Sequence, residues 1–84
     1  MIEFFGVARL RAGIEQAHVY ANSIGEALLE VSKQCPALNG TVLHNGRLAP
    51  GFVIAVNGLQ ITADPLTALR PGDALVVLSA DAGG

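Results

Sequence analysis

The sequence predicts an α+β domain in which one main helix packs on a mixed sheet of four or five strands. Three observations favour this fold class. One strong helix signal follows residue 22, several short apolar runs are separated by turn dipeptides, and 84 residues allow a single core. About half of the residues are apolar and only 14% are charged, so the chain can form a packed interior.

The N-terminal region predicts two strands. Ile2–Leu10 is apolar and partly aromatic, which indicates a central strand. A turn is expected at Ala12-Gly13. Polar and apolar residues then alternate over Gln16–Tyr20, as in a half-buried strand. The two strands would form an N-terminal hairpin.

The main helix has the clearest local signal. Ser23 and Glu26 form a capping-box pattern, in which the Ser23 hydroxyl accepts from the Glu26 amide and the Glu26 carboxylate reaches back to the Ser23 amide. Apolar residues then recur at the spacing of one helix face: Ile24, Ala27, Leu28, Val31 and Cys35. Pro36 is expected to end the helix.

The second half of the chain predicts the remaining strands. Phe52–Val56 indicates a buried strand, and Asn57-Gly58 after it predicts a type I′ hairpin turn into Leu59–Thr62. The other predicted elements are a tight turn at His44-Asn45-Gly46-Arg47, a helical turn at Leu66–Leu69, a turn at Arg70-Pro71-Gly72-Asp73 and a last strand at Ala74–Leu78.

This order of elements is that of the β-grasp, or ubiquitin-like, fold. A crossover through the helix is compatible with parallel pairing of Phe52–Val56 to the first strand. We therefore expect a β-grasp domain over residues 1–78 and a flexible tail over residues 79–84, ending in Gly83-Gly84.

Composition excludes several classes of function. The net charge is −2, and the Lys and Arg residues are scattered, which argues against a nucleic-acid groove. The sequence shows no signal peptide and no membrane span, and a lone Cys35 fits a reducing cytoplasm. Cys35 is expected to be buried and inert. His18 and His44 are single and far apart, so we expect neither a metal nor a bound cofactor.

Gly83-Gly84 is the candidate functional feature. Neither residue has a Cβ, so the backbone can enter a narrow slot. The terminal carboxylate is expected at the end of a flexible tail and not on the surface of the domain. An ATP-dependent enzyme could adenylate this carboxylate, and a sulfur donor could convert it to a thiocarboxylate. No acid–base pair, nucleophile triad or cofactor motif indicates a stand-alone enzyme.

Several motifs resemble the MoaD/ThiS family of ubiquitin-like sulfur carriers, above all the small subunit of molybdopterin synthase. Ile2–Arg11 resembles its opening strand and Arg-containing turn, and Ala55-Val56-Asn57-Gly58 resembles its strand ending in Val-Asn. Asp64-Pro65-Leu66 followed by Pro71–Leu75 resembles the block before its last strand, and Gly83-Gly84 matches its terminal pair.

This resemblance implies a non-catalytic carrier whose Gly84 is adenylated and then carries sulfur. A MoeB/ThiF-like adenylating enzyme of the E1 type would use ATP to load it. A MoaE-like large subunit of molybdopterin synthase would supply the catalytic side chains. The molybdopterin-type carrier usually has an aromatic pair and Pro-Pro before its tail, where this chain has Val77-Leu78-Ser79-Ala80.

Other functions of the same tail remain open. They are sulfur transfer for thiamine, cysteine or another metabolite, and a ubiquitin-like modifier that is conjugated to lysines through Gly84. A third possibility is a β-grasp interaction module whose tail is incidental.

The resemblance also implies partner-binding positions. Phe5 aligns with a surface aromatic of the family, although Phe4 and Phe5 face opposite sides of a strand and either could be core. Leu59 and Leu78 are further candidates for the partner interface. Arg9, Arg11 and Asp73 are candidates for contact with the adenylating enzyme, with solvated charge, or a turn cap at Asp73, as the simpler interpretation.

Overall fold

The computed structural model describes residues 1–80. It contains seven short strands, two α-helices and one 3₁₀ turn at Pro36–Leu38. In chain order the strands and helices are β1 (Ile2–Phe4), α1 (Val7–Ala12), β2 (Gln16–Ala17), α2 (Ile24–Gln34), β3 (Leu43–His44), β4 (Arg47–Leu48), β5 (Phe52–Val56), β6 (Gln60–Thr62) and β7 (Leu75–Ser79).

Five of the strands form a mixed sheet in the order β2-β1-β7-β5-β6, and β3 and β4 form a separate hairpin. β1 and β7 pair in parallel, with Ile2 opposite Leu75, and every other pair is antiparallel. The predicted mixed sheet is confirmed, but the predicted parallel partner of β1 is wrong. β5 runs antiparallel to β7, and β7 separates it from β1.

Helix α2 covers one face of the sheet, and the core lies between them. Ile24, Ala27, Leu28 and Val31 of the predicted apolar stripe are buried, and Cys35 is buried just after the helix ends. Alternate strand residues meet this stripe from the sheet: Ile2, Phe4, Ile54, Val56, Leu75 and Val77. Burial of this apolar surface stabilises the fold.

The cap of α2 follows half of the predicted capping box. The Ser23 hydroxyl accepts from the Glu26 amide at 3.2 Å, as predicted. The Glu26 carboxylate accepts instead from the amide of Asn22, at 3.0 Å. The helix ends at Gln34, before Pro36, as the sequence predicts.

The predicted first strand is too long. β1 ends at Phe4, and Gly6 takes φ 62° and ψ −127°, a backbone conformation that side chains disfavour. Val7–Ala12 is the helix α1, rich in the helix formers Ala, Arg and Leu. β2 is only two residues long and pairs antiparallel with β1. The segment that connects the two strands contains helix α1 and is not a tight turn.

Both predicted Asn-Gly turns are confirmed. Asn45 and Gly46 have φ of 54° and 76°, and Asn57 and Gly58 have φ of 53° and 70°, the positive values that a type I′ turn needs. In the second hairpin the paired residues are Val56 and Gln60, which leaves Leu59 at the tip.

Two boundaries differ from the prediction. Leu66–Leu69 is not helical; the Asp64 carboxylate accepts from the Leu66 amide at 2.9 Å and holds a tight turn. β7 extends to Ser79, and the Ala80 amide donates to the Gly51 carbonyl at 2.7 Å, so these two residues belong to the folded domain and not to the tail. Within residues 1–80, no helix is long and apolar enough to cross a membrane.

Candidate functional site

The sheet face opposite α2 is apolar over β5, β6 and β7 and only partly covered, and Glu3 of β1 lies on the same face opposite Val76. Because side chains alternate along a strand, the residues between the core positions point away from the helix. Cross-strand pairing joins Val53 to Leu78 and Ala55 to both Val76 and Ile61. We call this surface the outer sheet face; it consists of Phe5, Val53, Ala55, Ile61, Val76 and Leu78.

Phe5 is the large anchor of this face. Phe4 is 3% exposed in the core, whereas Phe5 is 61% exposed, so the structure decides between the two alternatives in favour of a surface aromatic. The Phe5 amide donates to the Val77 carbonyl at 3.0 Å, which continues the parallel ladder and places Phe5 beside Leu78. An exposed aromatic next to half-buried aliphatic residues is typical of an interface anchor.

The strand that leads into the tail ends at this same edge. β1 and β7 are parallel, so the end of β7 lies beside Phe5. The hydrogen bond from Ala80 to Gly51 fixes the chain up to the last described residue. Gly83 and Gly84, the residues predicted to carry the chemistry, lie outside the described residues.

The two candidate arginines lie on α1 and not on a strand or turn. α1 packs beside β7, so it lies at the tail end of the sheet. Arg9 and Arg11 are both exposed, and the Arg9 guanidinium forms an ion pair with the Glu15 carboxylate. Exposed pairs of this kind contribute little to stability, so Arg9 can exchange this partner for another at low cost.

Asp73 and Leu59 lie at the opposite end of the sheet. β5 is antiparallel to β7, so the hairpin that follows β5 is beside the start of β7. Leu59 is 90% exposed at this hairpin tip. Four residue steps along β7, at about 3.3 Å each, place Leu75 about 13 Å from Ser79.

Asp73 joins two turns by hydrogen bonds. One carboxylate oxygen accepts from the Arg70 amide at 2.9 Å and the other from the Asn57 side-chain amide at 3.0 Å. The Asn57 side-chain carbonyl in turn accepts from the Ala74 amide at 2.9 Å. The Arg70 amide, followed by the Asn57 amide, lowers the pKa of Asp73 below its ordinary value, because both donate to the charged form. Asp73 therefore acts as a turn cap, the simpler of the two interpretations.

The structure thus divides the six predicted partner-binding residues into two groups. Phe5, Leu78 and the α1 arginines lie at the end where the tail begins. Leu59 and Asp73 lie at the other end. The first group lies at the end of β7 that leads to the tail, and contact of any of the six residues with a partner stays a prediction.

Sequence reasoning missed four residues of the outer sheet face: Val53, Ala55, Ile61 and Val76. β5 and β7 are apolar at successive positions, a pattern that indicates burial on both faces. In the structure α2 covers one face, and Val53 and Val76 remain partly exposed on the other. An apolar run in a chain with one main helix is a signal for such an exposed face.

The remaining titratable side chains of the described residues form no recognisable centre. Cys35 is buried as predicted, and its thiol donates to the Ala12 carbonyl at 3.2 Å, which ties α2 to α1. Among residues 1–80, no three His, Cys, Asp or Glu side chains come together as they would to hold a metal ion.

This chain resembles known proteins at the level of structure. No protein-family model and no curated protein sequence matches the chain. Solved structures do match it over almost its whole length. SAMP1 of Haloferax volcanii is 25% identical, with a TM-score of 0.76 over 99% of this chain and 96% of that one.

Two further structures match with the same TM-score at lower sequence identity. The small archaeal modifier protein 1 (SAMP1) of Methanosarcina acetivorans is 22% identical, with a TM-score of 0.76 over 99% of this chain and 93% of that one. A chain of the Amycolatopsis orientalis BexX/CysO complex is 18% identical, with a TM-score of 0.76 over 99% and 97%. This chain therefore has the ubiquitin-like β-grasp fold of these small proteins.

Proposed function

We propose that this protein is a sulfur carrier that acts through the carboxylate of Gly84. One observation carries the proposal: β7, the strand that leads to Gly83-Gly84, ends beside an exposed apolar sheet face anchored by Phe5. An activating enzyme could grip the outer sheet face and receive the tail from the same edge. Two glycines at the end of the tail can enter a narrow active site because neither has a Cβ.

The chemistry needs only the carboxylate from this chain. A Gly84 carboxylate oxygen attacks the α-phosphorus of ATP, and pyrophosphate leaves. Sulfide, or a donor at the same oxidation level, then attacks the acyl carbon of the adenylate, and AMP leaves. The product is a thiocarboxylate. The catalytic side chains for both steps belong to an E1-like adenylating enzyme of the MoeB/ThiF type.

The similar structures support a carrier or modifier over a stand-alone enzyme. Two of them are named as small archaeal modifier protein 1, and another is a chain of a two-protein complex. Each match covers 99% of this chain, so the likeness of the backbone includes the sheet strands up to the end of β7. At these identities the likeness supports the fold most directly, and the sequence of the tail supports the function.

For the sulfur acceptor we propose the large subunit of molybdopterin synthase. The motifs that resemble the small subunit support this assignment. Sulfur transfer to thiamine, cysteine or another metabolite is the alternative within the carrier class. It would use the same outer sheet face and a different acceptor enzyme.

A ubiquitin-like modifier is the second candidate function. The name of the two archaeal neighbours favours it. The first chemical step is the same, but a lysine amine of a target protein then displaces AMP and forms an isopeptide bond. The two functions differ only in the nucleophile that follows adenylation.

Intact-mass spectrometry tests the proposal. The chain is incubated with ATP, the E1-like enzyme and a sulfide donor, beside a variant that lacks Gly84. We expect a gain of about 16 Da, from exchange of the terminal hydroxyl for a thiol, in the full chain alone. An unchanged mass with adducts to other proteins would establish the modifier instead. An unchanged mass without adducts would refute the carrier function.

Sulfur transfer then identifies the acceptor. The thiocarboxylated chain is mixed with a molybdopterin synthase large subunit and its pterin precursor. Conversion of the precursor, with return of the carrier to its original mass, is the expected result. A stable thiocarboxylate under these conditions would reject the molybdopterin assignment and leave the carrier function intact.

A further inference from the structure

The chain has very few amines that an activated Gly84 could acylate. Its cationic side chains are four arginines and one lysine, Lys33. An arginine guanidinium stays protonated in proteins and is not an acyl acceptor. The nucleophilic amines of the sequence are therefore Lys33 Nζ and the α-amine of Met1.

Lys33 projects from the last turn of α2, away from the core. The helix faces the sheet with Ala27, Leu28 and Val31, whereas the side chain of Lys33 is 65% exposed. Its Nζ pairs with the Glu30 carboxylate at 3.4 Å, one helical turn earlier. An exposed ion pair of this spacing is weak, so the amine can be released at little cost.

Lys33 also lies on the opposite side of the molecule from the outer sheet face. α2 covers the inner face of the sheet, and Lys33 is on the solvent side of α2. An enzyme that grips Phe5 and Leu78 leaves this side of the carrier open. One copy held for activation and a second copy offering Lys33 can therefore meet without competing for the same surface.

The α-amine of Met1 is the competing amine, and it lies at the start of a sheet strand rather than on the solvent side of α2. It donates to the Asp73 carbonyl at 3.4 Å, at the start of β1. β1 lies inside the sheet between β2 and β7, so the Met1 backbone is close to two neighbouring elements. The Leu75 amide also donates to the Met1 carbonyl at 2.9 Å, which holds this residue against β7.

We propose that Lys33 is the self-acceptor site of this protein. This inference rests on the proposed activation of Gly84. The neutral Nζ of Lys33 attacks the acyl carbon of a Gly84 adenylate, the bond to AMP breaks, and the amine proton passes to water. One isopeptide bond forms, and no oxidant or reductant is needed. ATP and the adenylating enzyme supply the activated acyl group.

One acceptor lysine has a consequence for the product. Each copy offers one tail and one lysine, so successive conjugation builds an unbranched polymer with a single type of linkage, Gly84 to Lys33. A chain with several exposed lysines would give mixed and branched products. When a sulfur donor is abundant, sulfide competes with Lys33 for the same adenylate.

The test uses the full chain, ATP and the E1-like enzyme, without a sulfur donor, and compares wild type with Lys33→Arg. Arginine keeps the charge, the helix propensity and the pairing with Glu30, so the variant should fold and be adenylated normally. Pyrophosphate release measures adenylation, and intact mass and peptide mapping measure conjugation. We expect wild-type conjugates about 18 Da lighter than the sum of their parts, linked at Lys33, and none in the variant.

Three results would overturn this proposal. Conjugates that persist in Lys33→Arg, or that map to the Met1 amine, would show that Lys33 is not the acceptor. Normal pyrophosphate release by wild type without any conjugate would show the same, while the proposed carrier function survives. Absence of pyrophosphate release would refute the activation of Gly84 and the self-acceptor site together.

Discussion

Replacement of Phe5 by alanine tests whether the outer sheet face is the docking surface. A fully covered phenylalanine side chain buries about 150–250 Å². At 61% exposure, Phe5 therefore offers a partner about 120 Å². At about 25 cal/mol per Å², covering this area is worth about 3 kcal/mol.

Alanine retains part of that contact, so we expect Phe5→Ala to weaken binding by about 2 kcal/mol, roughly 30-fold. The assay is adenylation by the E1-like enzyme at varied carrier concentration. The KM for the carrier should rise by that factor with little change in kcat, since the Gly84 carboxylate is untouched. The free energy of unfolding should change by less than about 0.5 kcal/mol, because the ring lies mostly in solvent.

Tyr20 provides the matched control. It is an aromatic residue that is 98% exposed, and it lies between β2 and α2, away from the outer sheet face. Tyr20→Ala should leave both KM and stability close to wild type. If the two variants have the same KM, the outer sheet face is not where the activating enzyme binds, and the proposed docking geometry fails.

Three further predictions concern stability. Ser23→Ala removes the cap of α2 and should lower the free energy of unfolding by about 1 kcal/mol in urea titrations, whereas Ser32→Ala, inside the helix, should not; equal effects would contradict the cap. Gly58→Ala, at φ 70° with open space around its Cβ, should cost about 1 kcal/mol from backbone strain alone. An unchanged urea midpoint would refute this. Hydrogen bonds hold the pKa of Asp73 below its unfolded value, so the stabilisation by this carboxylate is present above about pH 3.9 and is lost as the pH falls through the lower folded-state pKa. Asp73→Asn should lack that acid-dependent loss, and parallel pH–stability curves for the two proteins would exclude it.

Local sequence signals predicted the elements whose cause is local. The Ser23 cap and the apolar spacing of α2 depend on residues within a few turns. The same holds for Asn57-Gly58, where the turn type requires positive φ at both positions. These elements appear in the structure as predicted.

The errors occur where the cause is distant in the sequence. Val7–Ala12 is apolar enough to read as a strand, and its helical state depends on the reversal at Gly6 and on packing beside β7. The parallel partner of β1 could not be read from either strand, because Phe52–Val56 and Leu75–Ser79 are equally apolar. Long-range register decides such pairings.

The candidate site shows the same division. Gly83-Gly84 and Phe5 can be read from the sequence as features, but their relation cannot. The parallel pairing of β1 with β7 brings Phe5 to the edge where the tail begins. Asp73 lies just before the other end of β7, a strand that spans about 13 Å from Leu75 to Ser79.

In this topology the residues that fix the register of β7 and the residues exposed for partner contact lie at opposite ends of that strand. The Asp73–Asn57 hydrogen bond joins the turn before β7 to the hairpin after β5, so it fixes the register of the strand that leads to Gly84. Phe5 and Leu78, at the other end, are free to contact a partner. Substitutions at Asp73 should therefore act on the fold of the carrier, and through it on the placement of the tail, whereas substitutions at Phe5 should act on recognition alone. Asp73 and Phe5 would therefore both affect activity, Asp73 through the fold and Phe5 through partner binding.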